Sequence, residues 1–166
     1  ERVDLVITVD GEYRPKQASK GLSGSLGVIN VACGTEALLT LKIVNSETGA
    51  PVVVDNVAIS WYDIDEGKRG KGRSTVTSCG DGLITSSNSE LAVRHLGSCW
   101  SATSSTPGTK ADNPSAPIPL TELQRGRVAT FVFSDVSSFT ATLRVDSGRG
   151  GRNFLFAMDP GVAAKR

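Results

Sequence analysis

The stretch VAISWYDIDEGKRGKGR, residues 57–73, carries the alternation that decides the fold class and the point where that alternation fails. Val57, Ile59 and Trp61 alternate with Ala58 and Ser60. A period of two marks a strand with one buried face, because successive side chains point to opposite sides of an extended chain. Asp63 and Asp65 have the parity of Trp61, so an unbroken strand would aim both at the core. Carboxylates do not sit unpaired in a core. Either the strand bulges or ends at Tyr62, or the acids lie at a rim with a compensating partner.

The same period recurs outward from this segment. Val3, Leu5, Ile7 and Val9 alternate with mostly polar neighbours, as do Leu39, Leu41 and Ile43, and Phe139, Ala141, Leu143 and Val145. β-Branched residues fill these runs, as strands prefer. Further strand candidates are Leu26–Ala32, Ser74–Cys79, Glu90–His95, Val128–Ser134 and Asn153–Met158. Turn signals separate them at Asp10-Gly11, 45–49, 67–72, Asp81-Gly82 and 147–151. The pattern predicts an all-β domain, a two-sheet antiparallel β-sandwich or jelly roll of about nine or ten strands with long polar loops. One domain spans 1–166, with 1–2 and 160–166 expected as tails or linker. Leu39, Leu41, Ile43, Val57, Ile59, Trp61, Phe131, Phe133, Leu143 and Phe156 are the expected core. One helical turn with Thr121 as its cap fits within Pro119–Arg127, and Ser101–Pro119, rich in Ser, Thr and Pro, reads as a long surface loop.

Charge is balanced at +1 over 166 residues, which excludes a whole-molecule field for nucleic acid or membrane. No apolar run of about eighteen residues is present, so membrane insertion is not expected. Glu1 and the closing Lys165-Arg166 pair are expected of a processed product or a slice of a longer chain. The three cysteines, Cys33, Cys79 and Cys99, are widely spaced, and His95 is the one histidine, so a structural zinc site is not indicated. Cys79 and Cys99 bracket a Gly/Ser-rich stretch and are the favoured disulfide in an extracellular or cell-surface setting, leaving Cys33 as a buried thiol.

The acids of residues 63–65 need a partner, and calcium is the preferred agent because it takes several oxygen ligands from carboxylates and carbonyls. Asp63, Asp65, Glu66, Asp81, Asp112 and Asn113 are the candidate ligands. Pairing of the acids with Lys68, Arg69 or Arg73 is the alternative. The basic, glycine-rich run from Gly67 to Arg73 and a second run from Ser147 to Arg152 would form an anion-binding rim if they share one end of the sandwich. Lys68, Arg69, Lys71, Arg73, Arg149 and Arg152 are its candidates. Trp100 is a candidate platform for stacking a sugar, whereas Trp61 shares the face of Ile59 and reads as core. A nucleic-acid reading is disfavoured, since stacking aromatics are not interleaved with the cations.

The alternation, the polar turns and the Asp-x-Asp rim are broadly similar to calcium-associated β-sandwich modules of extracellular proteins. That similarity is one of architecture and carries no residues across. The expected function is a non-enzymatic extracellular binding or adhesion module, supported by calcium, that contacts glycan or protein through loops at one end. A self-assembling structural building block or accessory subunit is the alternative. A carbohydrate-active enzyme is the third reading, and the sequence offers no distinctive carboxylate pair for it.

Overall fold

The computed structural model describes residues 2–17 and 21–159 of the chain. The described residues form twelve strands: β1 (Val3–Asp10), β2 (Leu22–Ser23), β3 (Leu26–Ala32), β4 (Thr35–Asn45), β5 (Val54–Tyr62), β6 (Ser74–Ser78), β7 (Gly82–Ile84), β8 (Ala92–Leu96), β9 (Cys99–Thr103), β10 (Ala129–Val136), β11 (Ser138–Val145) and β12 (Gly151–Asp159). A short 3-10 turn spans Lys68–Gly70 between β5 and β6, and one α-helical turn, α1 (Glu122–Arg125), precedes β10. The first turn of α1 is closed by a reciprocal cap: the Thr121 hydroxyl accepts from the Gln124 amide, and the Gln124 side chain accepts from the Thr121 amide.

The strands form two antiparallel six-stranded sheets in the orders β1-β4-β11-β6-β9-β8 and β2-β3-β12-β5-β10-β7. The register follows the hydrophobic pattern, because a slip by one residue would turn every apolar side chain outward. In one sheet Leu41 lies opposite Phe139 and Leu39 opposite Ala141. In the other, Ile59 lies opposite Phe131 and Val57 opposite Phe133. The two inner faces meet in a continuous core of Val, Leu, Ile and Phe side chains. Phe133 of one sheet stacks on Phe139 of the other at 4.2 Å between ring centres, which ties the layers together. Trp61 is fully buried, edge-on to Phe154.

The two-sheet sandwich is as expected, but the strand number is twelve and not nine or ten. β2 and β7 are too short to show a period. β9 is hidden in a Ser/Thr-rich stretch that reads as loop, although Ser101 and Ala102 are buried in it. The loop read as Ser101–Pro119 therefore begins after Thr103. Of the expected core, Phe156 is only half-buried, because its ring lies over Gly27, which has no side chain to close over it. Cys79, just past the end of β6, and Cys99, the first residue of the neighbouring β9, form a disulfide, and Cys33 is a free thiol, half-buried. Of the expected tails, Arg2 is described and its carbonyl accepts from the Ser46 amide; the rest lie outside the described residues. Among the described residues, no helix is long and apolar enough to cross a membrane.

A second, smaller apolar cluster positions the long loop. Leu26, Tyr62 and Leu155 are buried, with Leu120 and Val128 packed against them. The Ser25 amide donates to the Ser115 carbonyl at 2.9 Å, which pins the same loop to the start of β3. The chain leaving β5 at Tyr62 thus runs directly under residues 104–120.

Candidate functional site

The conflict of parity at Asp63 is resolved by the backbone. β5 ends at Tyr62, and Asp63 adopts a left-handed conformation with φ 58°. Non-glycine residues adopt that region at some conformational expense, Asp and Asn least so. The turn shifts the alternation by one, so Ile64 enters the core while Asp63 and Asp65 flank it. The Ile64 amide donates to the Arg127 carbonyl, which locks the segment beside β10.

The long loop brings further acids to this point. The Glu66 amide donates to the Thr106 carbonyl, and the Gly108 amide donates back to the Glu66 carbonyl at 2.8 Å, so the loop runs parallel to residues 65–67. Asp112 then folds inward and accepts from the Thr109 amide at 2.9 and 3.1 Å. Carboxylate oxygens of Asp63, Asp65 and Asp112 lie within 4.8 Å of one another. Asp112 is fully buried and Asp65 is 8% exposed. Asn113 closes the group: with its amide nitrogen turned inward it donates to both oxygens of Asp63 at 3.0 Å and to Asp112 at 3.1 Å. Turned the other way, the same carboxamide presents an oxygen to the same point. A cavity of about 450 Å³ opens onto Asp63, Asp65 and Asn113, with Lys110 and Arg152 also on its wall.

Two guanidinium groups reach this cluster. Arg127, 4% exposed, pairs with Asp112 through Nη1 and with Glu90 through Nε at 2.9 Å. Glu90 also accepts from the Thr106 hydroxyl, and that bond and Arg127 hold its carboxyl below the ordinary range. Arg152 lies 3.7 Å from Asp65, and its Nε donates to the Gly72 carbonyl. Asp63 has no salt bridge among the described residues. Burial, followed by the charges of Asp65 and Asp112, pushes its carboxyl up to about 8, against the weaker pull of Arg127 and Arg152. Burial also pushes Asp65 up, to about 6, with Arg152 as the main opposing influence. Without a metal ion, Asp63 is mostly protonated near neutral pH, whereas Asp65 is mostly ionised.

Of the other metal candidates, Glu66 is buried but pairs with Arg73 at 3.1 Å. Asp81 is exposed and stands beside Val57 and Ala58, toward the other end of β5. Neither Lys68, Arg69 nor Arg73 pairs with Asp63 or Asp65; the cation beside Asp65 is Arg152, from β12.

The two basic loops do share one end of the sandwich. The Gly72 amide donates to the Ser147 carbonyl at 3.0 Å, and the Asp146 amide donates to the Arg73 carbonyl at 3.0 Å. A cleft of about 730 Å³ lies between them, lined by Lys68, Lys71, Arg149 and Arg152 together with backbone of Gly72 and Gly148. Arg69 and Arg73 lie outside this lining. Trp100 also lies elsewhere, on β9, stacked on His95 at 4.0 Å between ring centres and packed against the core.

Sequence reasoning missed Arg127, Glu90 and Gly108. Nothing local marks Arg127, which resembles any cation of a polar turn. Gly108 is needed because a Cβ there would overlap the Asp65 carboxylate. No protein-family model matches the chain, and no curated protein or solved structure matches it either.

Proposed function

We propose that this domain is a non-enzymatic, extracellular binding module whose loop end is organised by one calcium ion held by Asp63, Asp65, Asp112 and Asn113. The observation that carries the reading is Asp63, a mostly enclosed carboxylate beside two others with no cation of its own. Calcium takes six to eight oxygens, and three carboxylates with one carboxamide supply a substantial part of that shell; water and backbone carbonyls complete it. The donor set is all oxygen, which suits a hard cation and not zinc or copper. Three carboxylates converging on one small volume also suit an ion better than the two facing acids of a glycosidase. The disulfide is at home in an oxidising compartment, which supports the extracellular setting. Glycan or protein is the expected partner at this loop end.

Calcium titration with calorimetry and thermal melts tests the reading. The melting temperature rises with added calcium, falls with chelator, and the Asp63→Asn/Asp65→Asn double variant loses the response. A ligand that binds only the folded state at a hundred times its Kd stabilises by about 2.7 kcal/mol. A melting temperature indifferent to calcium and chelator in the wild-type chain overturns the metal reading.

The second reading, a self-assembling building block, is favoured by β1. This eight-residue edge strand pairs only with β4 among the described residues, and Val6 on it is 42% exposed. Open edges of this kind invite strand addition. A concentration-independent monomer in sedimentation sets that reading aside.

A further inference from the structure

We propose that the basic cleft binds the sulfate or carboxylate groups of an anionic glycan, and that Arg152 couples it to the acid cluster so that calcium and glycan each tighten the other's binding. The cleft stands on its own geometry; the coupling rests on the calcium reading above.

Among the described residues, the cleft is lined by four cations and no carboxylate. Lys68, Lys71 and Arg149 have no salt bridge among the described residues. The acids nearest in sequence are engaged elsewhere: Glu66 with Arg73, and Asp146 with Arg144. Four like charges facing one concavity repel one another, and a multivalent anion relieves that repulsion. Gly72 and Gly148 let the two loops pack closely, since a Cβ at Gly148 would lie 3.0 Å from the Gly72 nitrogen, and this holds the four cations around one concavity. The loops do not gather by chance of flexibility, since backbone hydrogen bonds at Gly72–Ser147 and Asp146–Arg73 fix their spacing.

The lining also selects the class of anion. Among the described residues it holds no aromatic ring on which nucleic-acid bases could stack. Among the described residues it holds no Val, Leu, Ile or Ala side chain and no strand edge, the features by which extended apolar peptides are held. Guanidinium and ammonium groups suit compact oxyanions. An anionic glycan offers these on a polar backbone.

Among the described residues, Arg152 is the one common to the walls of both openings. Its Nε is fixed to the Gly72 carbonyl, within the cleft, while Nη1 lies 3.7 Å from Asp65. With the acid cluster free of metal, the charge of Arg152 is partly spent on Asp65. A divalent cation on the carboxylates satisfies Asp65 and adds positive potential behind the cleft. The guanidinium charge is then directed to the anion. By linkage the effect is reciprocal.

Calorimetry with a defined sulfated oligosaccharide at constant ionic strength tests both halves. In calcium-free buffer the wild-type domain binds the probe, and the Lys71→Ala/Arg149→Ala variant binds it about tenfold or more weakly, the loss expected for charge-assisted contacts. Added calcium tightens wild-type binding about fivefold or more, the low end of typical coupling. Neither Arg152→Gln nor Asp63→Asn responds to calcium in this way; any effect of calcium binding to the probe itself persists in the second variant and is measured there. Equal affinity of wild type and the Lys71/Arg149 variant, equal affinity for the desulfated probe, or tighter binding of an acidic peptide of the same charge overturns the glycan site. Calcium binding without any change in glycan affinity overturns the coupling alone. Absence of calcium binding removes the coupling together with the metal reading, and the calcium-free titration still decides the cleft.

Discussion

The acid cluster and the basic cleft meet at one side chain, Arg152, yet they are built in opposite ways. The acids are withdrawn from water, Asp112 wholly and Asp65 to 8% exposure, while Lys68, Lys71 and Arg149 are exposed. A charge removed from water costs several kcal/mol unless it is paired, so each buried acid demands a partner. An exposed lysine demands nothing, because water already solvates it. The cluster is therefore identified by energetic necessity, through the carboxylate that lacks a cation. The cleft is identified only by arrangement, through four cations, three of them without a salt bridge among the described residues. Stability measurements should separate the two regions, and the following variants are ordered by expected size.

The largest effect is expected where a buried charge loses its partner. Arg127→Met removes the cation between Asp112 and Glu90 and leaves a fully buried carboxylate without its counter-charge, held only by the Thr109 amide and Asn113. Breaking one side of a buried pair destabilises by about 3–5 kcal/mol. Urea unfolding should show that loss, and calcium should recover part of it if the ion sits against Asp112. A loss under about 1 kcal/mol would mean that the network relaxes into solvent and that the cluster is not truly enclosed.

Gly108→Ala should come next. The added methyl group overlaps the Asp65 carboxylate, so either the loop or the acid must move. Overpacking of this kind costs about 1–3 kcal/mol. Calcium affinity should fall together with stability, since Asp65 is a proposed ligand. Unchanged calcium affinity with reduced stability would take Asp65 out of the ligand set and leave Asp63, Asp112 and Asn113.

The pH dependence sharpens the contrast. The folded chain holds protons on Asp63 up to about 8 and on Asp65 up to about 6, well above the ordinary 3.8. The folded state then binds more protons than the unfolded state between roughly pH 4 and 8, so stability falls as pH rises through that window. In calcium-free buffer, melts between pH 5 and 8 should show a declining contribution from this pair. Calcium replaces the protons, so its stabilisation should be larger at pH 8 than at pH 5. Asp63→Asn should flatten the upper part of the slope. A calcium effect that shrinks as pH rises would contradict carboxylate ligation.

The sandwich was legible because burial writes a period of two into Leu39–Ile43, Val57–Trp61 and Phe139–Val145. β9 was not, because Ser101 and Thr103 carry no periodic apolar signal and Ser101 is buried only by its place between β6 and β8. Within the site, Asp63 and Asp65 stood out through a broken rule of parity. The physical cause is the left-handed turn at Asp63, which parity alone cannot distinguish from a bulge. Asp112 and Asn113 were nameable as oxygen donors in a loop, but their convergence depends on the hydrogen bonds of Glu66 and Gly108 some forty residues apart in sequence. Arg127 left no trace, since its burial comes from the loop that closes over it.

The smallest effect is expected in the cleft, and there the sign matters more than the size. Lys68→Ala/Lys71→Ala/Arg149→Ala removes three exposed cations that have no salt bridge among the described residues. Surface substitutions of this kind stay within about 0.5 kcal/mol each. Mutual repulsion among like charges also disappears, so the variant should match the wild type or melt slightly higher at low ionic strength. The Debye length shrinks from about 30 Å at 0.01 M to about 3 Å at 1 M, so that small gain should vanish as salt is added. In the same titration the wild-type chain should gain stability from a sulfated oligosaccharide while the triple variant does not. A destabilisation above about 2 kcal/mol, independent of salt, would mean that these side chains pack the loops together. The cleft would then be a by-product of loop structure, and the contrast with the acid cluster, one region built by necessity and the other by arrangement, would fail.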